Sequence, residues 1–301
     1  MKKINGIIYA MLSSAAFGLS PIWTKDACNR GTNSITMLLS RVSITAIILF
    51  IYFLIKRVDF KVSKNQLVSL VFISIIGYAS TTICLFLSYN HISVGLATTM
   101  HFVYPAVVTI LMCLIYKEKI HFGKILSIFL SICGIYCLIY TKNMNINFKG
   151  VFLAIISGIF YSIYIIGVEK GGIEELDVLV STFYITLITS ICVFIFGQFS
   201  VGIKIVYDCR VFIDAMCGAI FSTLLALVAF VKGIKIIGSS NASILSTFEP
   251  IVSVIMGIIV LSEEINLSMV LGTILIIISV IFLTVWEKIR EKKYDLSQNS
   301  F

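Results

Sequence analysis

A carboxylate stands directly before a proline, Glu249-Pro250, inside a strongly apolar stretch, and 145 residues earlier the equivalent place holds Tyr104-Pro105. Proline removes a backbone donor and disturbs the carbonyl one turn earlier, so each break leaves polar backbone in need of a partner. In lipid such a break has to face protein or water. A carboxylate at that depth costs at least about 2.5 to 3.5 kcal/mol to insert, which makes Glu249 a candidate for holding a proton or a substrate amine, with His101, Tyr104 or Arg41 as its partner. A structural hydrogen bond across helices is the alternative. His101, one turn ahead of Pro105, is a second titratable group, and a neutral imidazole bonded to a nearby hydroxyl would serve packing equally well. Arg41 falls about 10 Å below one edge of its segment at helical rise. Its planar fork could hold a substrate carboxylate, or the side chain could extend back to the headgroups. Asp214, close to the start of its segment, is expected at the interface.

Uncharged polar side chains recur in the same apolar segments: Ser13, Ser14, Tyr78, Ser80, Thr81, Thr82, Asn90, Tyr161, Tyr164 and Asn241. Many can bond across helices. If some converge, they form a neutral, hydroxyl-rich, aromatic-lined cavity that suits an amphipathic metabolite better than a bare ion. The substrate-binding candidates are therefore Ser14, Arg41, Tyr78, Thr81, His101, Tyr104, Tyr161, Tyr164 and Glu249, with Pro105 and Pro250 as helix breaks. No acidic ladder, phosphate loop, nucleophile constellation or HExxH pattern is present, so no enzyme, metal or cofactor is expected.

The elements that position these residues must be membrane helices. Of 301 residues 59% are hydrophobic and 13% charged, with a mean hydropathy of +1.05. A soluble domain is less apolar and more charged. About 20 apolar residues cross the hydrocarbon. Cutting at polar and Gly-rich breaks predicts ten spans, near 4–24, 34–55, 67–90, 93–115, 121–141, 149–168, 177–197, 211–232, 238–261 and 267–287. Met1-Lys2-Lys3 before apolar residues could open a cleaved signal, but Gly6, Ala10 and Ser13 recur as Gly150, Ala154 and Ser157, so the first segment is expected to stay as a structural helix. Cys84, Cys113, Cys133, Cys137, Cys192 and Cys217 fall in apolar runs and read as packing. Cys28 and Cys209 fall in loops expected outside, where a disulfide could form.

Sixteen of the 23 Lys and Arg residues lie on one side of this layout, six lie on the other, and Arg41 lies within a span. Basic loops mark the cytoplasm, so both termini of a multi-pass cell-membrane protein are predicted inside. The net charge of +8 then follows loop topology and is no nucleic-acid footprint.

Five spans fall in each half. Ala97-Thr98, Val107, Ile110, Glu118, Ile120, Leu126, Leu130 and Ile132 match Ala242-Ser243, Val252, Ile255, Glu263, Ile265, Leu271, Leu275 and Ile277 at the offset of the prolines. An odd number of spans per copy makes the halves inverted, as in many secondary transporters. The expected units are 1–145, 146–287 and a cytoplasmic tail, 288–301, read as a solvated end or a headgroup contact. Glu118 and Glu263 each close a span thirteen residues after its proline, where a carboxylate could cap the next helix.

Pro105 with Glu118-Lys119-Ile120, Pro250 with Glu263-Glu264-Ile265, and Ile92-Ser93-Val94-Gly95-Leu96-Ala97 beside Ile237-Gly238-Ser239-Ser240-Asn241-Ala242 resemble the drug/metabolite transporter superfamily, specifically its EamA-type members. The resemblance covers residues 4 to 287. It implies an all-α, ten-helix bundle of two inverted five-helix repeats, with the first, third, fourth, sixth, eighth and ninth helices around a central cavity and the fifth and tenth outside. It also implies metabolite transport, commonly export of amino acids or related compounds. The expected activity is proton-motive-force-dependent export of a small amphipathic metabolite by alternating access, from a monomer or homodimer in the lipid bilayer, with protons as the coupling ion. An importer or uncoupled facilitator is the first alternative. A lipid-headgroup flippase or accessory subunit is the second, and an open lateral groove with a basic pocket would favour it.

Overall fold

The computed structural model describes residues 2–92, 94–139, 147–261 and 267–298, and every regular element among them is helical. Six segments are long and apolar enough to cross a membrane: Lys3–Asn29, Ser34–Lys56, Lys64–Ser88, Phe148–Lys170, Val178–Ser200 and Cys209–Ile237. The fourth span is two pieces, Val94–His101 and Tyr104–Tyr116. The fifth is Phe122–Ile139, the ninth runs from Ser239 to Leu261 in three pieces, and the tenth is Leu267–Gln298. The tenth helix therefore continues to Gln298, through most of the residues expected as the cytoplasmic tail. Asn90, expected inside the third span, is exposed in the turn beyond Ser88.

Local chemistry sets the ends. Asn33, Asn147, Asp177 and Asp208 accept backbone N–H bonds at helix starts, and Ser63 with Gln66 forms a reciprocal capping box. Span exteriors are apolar, with Ile55 73%, Leu114 72% and Phe129 62% exposed, as a lipid-facing surface requires. Polar side chains turn inward or back onto their own helix: Thr45, Thr82, Thr109 and Thr186 each donate to the carbonyl four residues earlier.

Pro105 and Pro250 do not merely kink their spans. Each is the second residue of a new helix, Tyr104–Tyr116 and Glu249–Leu261, a position where the missing N–H has no helical partner to lose. Tyr104 and Glu249 thus become the first residues of half-helices. Pro21 does the same in the first span, separating Lys2–Gly18 from Ser20–Asn29. The third and eighth spans each contain a π-helical turn, Ile73–Ala79 and Ile220–Leu225, at nearly the repeat offset. Ser80 and Thr223 donate to carbonyls five residues back, at 2.8 and 3.1 Å, and help satisfy these widened turns.

The first and eighth spans pack closely, with Gly6 against Ile236 and Ile237. The fifth and tenth form their own pair, joined by Ser131 to Ser279 at 2.7 Å and by Gly134 against Ile276. Cys28 and Cys209, expected in loops, both belong to helices, Cys28 within Ser20–Asn29 and Cys209 as the first residue of Cys209–Ala219, and both are free thiols.

Candidate functional site

The sixth span lies directly against the break in the fourth. A Cβ at Gly158 would stand 2.5 Å from the His101 carbonyl oxygen, so only glycine lets the two backbones approach this closely. That contact brings Tyr161, one turn on, among the residues flanking Pro105. Its ring is 4.8 Å from Tyr104 at 89°, 5.4 Å from His101 and 5.5 Å from Tyr164, which in turn lies 5.3 Å from Tyr78. Phe230 of the eighth span stacks on Tyr161 at 6.0 Å, and Phe17 of the first meets Phe230 edge-on. Five spans thus contribute to one continuous aromatic wall.

The polar atoms on this wall have assignable roles. The Ser246 hydroxyl gives its single proton to the Ser243 carbonyl at 2.8 Å, so Tyr104 donates in the 2.5 Å bond between Tyr104 and Ser246. The same logic applies to His101. Ser157 donates to the Ala154 carbonyl at 2.6 Å, which leaves His101 Nδ1 as the donor to Ser157 at 2.8 Å. A neutral ring then carries its proton on Nδ1 and presents Nε2 as an acceptor. Nε2 makes no hydrogen bond among the described residues. Thr81 donates to the Ser157 carbonyl at 3.2 Å, tying the third span to the same point. The Tyr164 hydroxyl is buried without a partner.

Glu249 departs from expectation. None of His101, Tyr104 or Arg41 hydrogen-bonds it: His101 Nδ1 bonds Ser157, Tyr104 bonds Ser246 and Arg41 bonds Ser20. Its side chain makes no hydrogen bond among the described residues, yet it lies deep in the protein and keeps accessible surface. Arg41, Tyr78, Tyr89 and Tyr104 are all within its electrostatic reach.

Arg41 does not extend to the headgroups. It is 8% exposed, turns inward to donate to Ser20 beside the Pro21 break, and sits 5.9 Å over the Phe86 ring, while its Nε is buried without a partner. Ser14 bonds the Ala10 and Leu245 carbonyls, so it ties the first span to the ninth. Asp214, expected at the interface, is 3% exposed and hydrogen-bonded to Asp26.

Glu118 does not cap the helix that follows it. It accepts a bond from the Lys124 ammonium and another from Ser240 at 2.6 Å, and so reaches the start of the ninth span. Glu169, at the end of the sixth span, caps that same start. It accepts from the Ser239 N–H at 2.5 Å and from the Ser239 hydroxyl. Gly238 permits this with φ +80°, and a Cβ there would approach the Glu169 carboxylate at 3.6 Å. Glu263, the counterpart of Glu118, lies outside the described residues.

Several of these positions were not singled out in the sequence: Pro21, Ser20, Ser157, Phe230, Ser246 and Glu169. Pro21 had a visible signal, being the third proline of only three, but its repeat counterpart is Ile165, so no matched pair marks it.

No curated protein matches the chain closely enough to count as a relative. A solved crystal structure, described only as that of a protein, superposes with a TM-score of 0.80 over 96% of this chain and 98% of its own at 12% identity, and so shares the fold. The model of the EamA-like transporter family matches residues 4–140 and again 148–285, one copy in each half. With two copies of the family's repeat spanning almost the whole of an all-helical membrane bundle, the chain belongs to the EamA-like transporter family of small-molecule membrane transporters.

Proposed function

We propose that the chain exports a small amphipathic metabolite, an amino acid or analogue, by alternating access around the aromatic wall, with the basic end facing the cytoplasm of a cell membrane. One observation supports this reading: Glu249 opens the helix Glu249–Leu261, makes no hydrogen bond among the described residues, and lies within electrostatic reach of Arg41 and of the wall tyrosines Tyr78, Tyr104 and Tyr161. A carboxylate and a guanidinium within electrostatic reach of each other offer partners for an ammonium and a carboxylate, and the neighbouring rings suit an apolar side chain. Glu249 is also the group best placed to exchange a proton during the cycle. One charge moved through 100 mV supplies about 2.3 kcal/mol, enough for roughly a fifty-fold gradient.

The test is flux in proteoliposomes with imposed pH and voltage gradients, using substrates chosen by a thermal-shift screen of amino acids, nucleosides and polyamines. Glu249→Gln is expected to abolish the response to the pH gradient while counterflow persists. A variant that keeps its pH dependence removes Glu249 as the coupling group, and unmodified protein that shows counterflow but no response to either gradient favours the uncoupled facilitator.

The flippase alternative turned on a lateral groove, and one is present between the first, second and eighth spans, with a volume of about 540 Å³. Its polar residues, Tyr9, Tyr52 and Lys232, all lie toward the basic end. A headgroup crossing the bilayer would need polar partners along the whole path, so the groove supports lipid seating and not lipid transfer.

A further inference from the structure

That groove has its own chemistry, separate from the transport reading and independent of it. Its walls are Leu12 of the first span and Leu49 of the second, and its floor is the π-helical turn of the eighth, where Ile220, Phe221, Leu224 and Leu225 face outward. From Ile220 to Lys232 the eighth span rises about 18 Å, close to the hydrocarbon depth of a single leaflet. The groove therefore stops near the bilayer middle and opens toward the headgroups at the basic end. There Lys232 stands with its ammonium 5.3 Å over the Tyr9 ring, with Tyr52 beside the same opening. Lys232 has no carboxylate partner among the described residues, whereas Lys235, three residues on, is engaged by the Ile173 and Leu176 carbonyls.

We propose that this groove is a binding site for an anionic phospholipid, one acyl chain lying along the π turn and the phosphate drawn to Lys232. Length supports a lipid chain, the apolar lining supports hydrocarbon, and the free ammonium at the headgroup level supplies charge complementarity. The two tyrosine rings at the opening suit the interface, where amphipathic aromatics gather. A widened turn at this level also gives the chain room without displacing the wall on the opposite face of the same span, where Phe230 stacks on Tyr161.

The experiment is native mass spectrometry of the full chain released from nanodiscs of equimolar phosphatidylglycerol and phosphatidylcholine. Unmodified protein is expected to retain phosphatidylglycerol over phosphatidylcholine by about fivefold, the worth of one basic residue at an anionic surface. Lys232→Gln should bring the ratio near one. Leu12→Trp, which fills the groove at a lipid-facing position and keeps the charge, should lower total retained lipid, while Lys204→Gln at the far end leaves both readings unchanged. Equal retention of the two lipids by the unmodified protein overturns the proposal, as does a preference that survives both Lys232→Gln and Leu12→Trp.

Discussion

At the basic end Glu118 takes a bond from Lys124, which is 3% exposed, and another from Ser240, while Glu169 grips the first residue of the ninth span through backbone and side chain together. At the far end Arg30 and Arg210 meet Asp26 and Asp208 at 3.4 to 3.5 Å, with 35% to 61% of each side chain in solvent. Both ends carry opposite charges in contact, but they differ in energy. Exposed pairs contribute about 0.2 to 1 kcal/mol, whereas removing one partner of a buried pair costs about 3 to 5 kcal/mol. In the alternating-access cycle proposed above, opening at the basic end would have to break the bonds of Glu118 and Glu169, whereas the Arg pairs at the far end would oppose opening little. The repeat cannot supply the same fastening at the other face, since Lys124, Ser239 and Ser240 correspond to Met269, Val94 and Gly95, and Glu169 corresponds to Lys25.

The largest effect should come from giving Lys124 its counterpart's identity. Lys124→Met strands Glu118 without its cation. Because Glu118 retains a third of its exposure, the cost is discounted to about 1 to 3 kcal/mol. Hydrogen exchange of the amides in Ser239–Leu245 should quicken, and amides of the fifth and tenth span pair should not. Exchange that quickens equally everywhere would mean that Lys124 serves general stability and fastens nothing in particular.

Glu169→Ala comes next, since it removes the helix cap of the ninth span at a cost of about 0.5 to 2 kcal/mol. Its signature is narrower: the first amides of that helix, Ser239 above all, should lose protection while the Glu118 contact holds. If Lys124→Met and Glu169→Ala give strictly additive effects, the two carboxylates act on the helix start independently, and coupling would instead show that they hold it as one unit.

Much of this layout was legible in the sequence, and the reasons for the rest are specific. Ten spans followed from apolar length, and the repeat from residues 145 apart, because both are local or periodic signals. The breaks at Pro105 and Pro250 were legible because each occurs twice. Pro21 was not, being unmatched. The tyrosines and His101 of the aromatic wall were named in the sequence, but Phe17 and Phe230 were missed because a phenylalanine in an apolar helix carries no signal of its own. The bonds at the basic end were illegible for a different reason: Glu118 meets Ser240 across 122 residues and Glu169 meets Ser239 across 70, and nothing in either local sequence encodes that meeting. Of the partners expected for Glu249, Arg41 remains within electrostatic reach, while His101 and Tyr104 bond Ser157 and Ser246 instead, a matter of side-chain placement and not of composition.

Acid offers a smaller test of the same contrast. Burial raises the Glu118 carboxyl, but bonds from Lys124 and Ser240 and the charges of Lys124 and His121 outweigh it and hold the group below its ordinary 4.5. A carboxyl depressed in the closed state stabilises that state fully above the ordinary value, and the contribution is lost as pH falls through the depressed one. Exchange at Ser239–Leu245 should therefore be flat from pH 7 to about 5, after correction for intrinsic rates, and should rise below about 4.5. Lys124→Met should flatten the acid limb, because without the cation the depression largely disappears. An acid limb of equal size in the variant would place the titrating group elsewhere.

The far end should respond least, and chiefly to salt. Arg30→Gln removes two long contacts at once, to Asp26 and to Asp208, with side chains that are 42%, 37% and 35% exposed. Its cost should be small at low ionic strength and fade by about 0.5 M salt, where the screening length falls to about 4 Å. Melting curves at 50 mM and 500 mM sodium chloride check this directly. The unmodified protein should lose a small part of its stability on adding salt, the variant should lose less, and Lys124→Met should keep its deficit in both, because a bond shielded from solvent is shielded from ions as well. A salt-insensitive deficit in Arg30→Gln would mean that the far end is fastened too, and that the bundle rests closed on both faces.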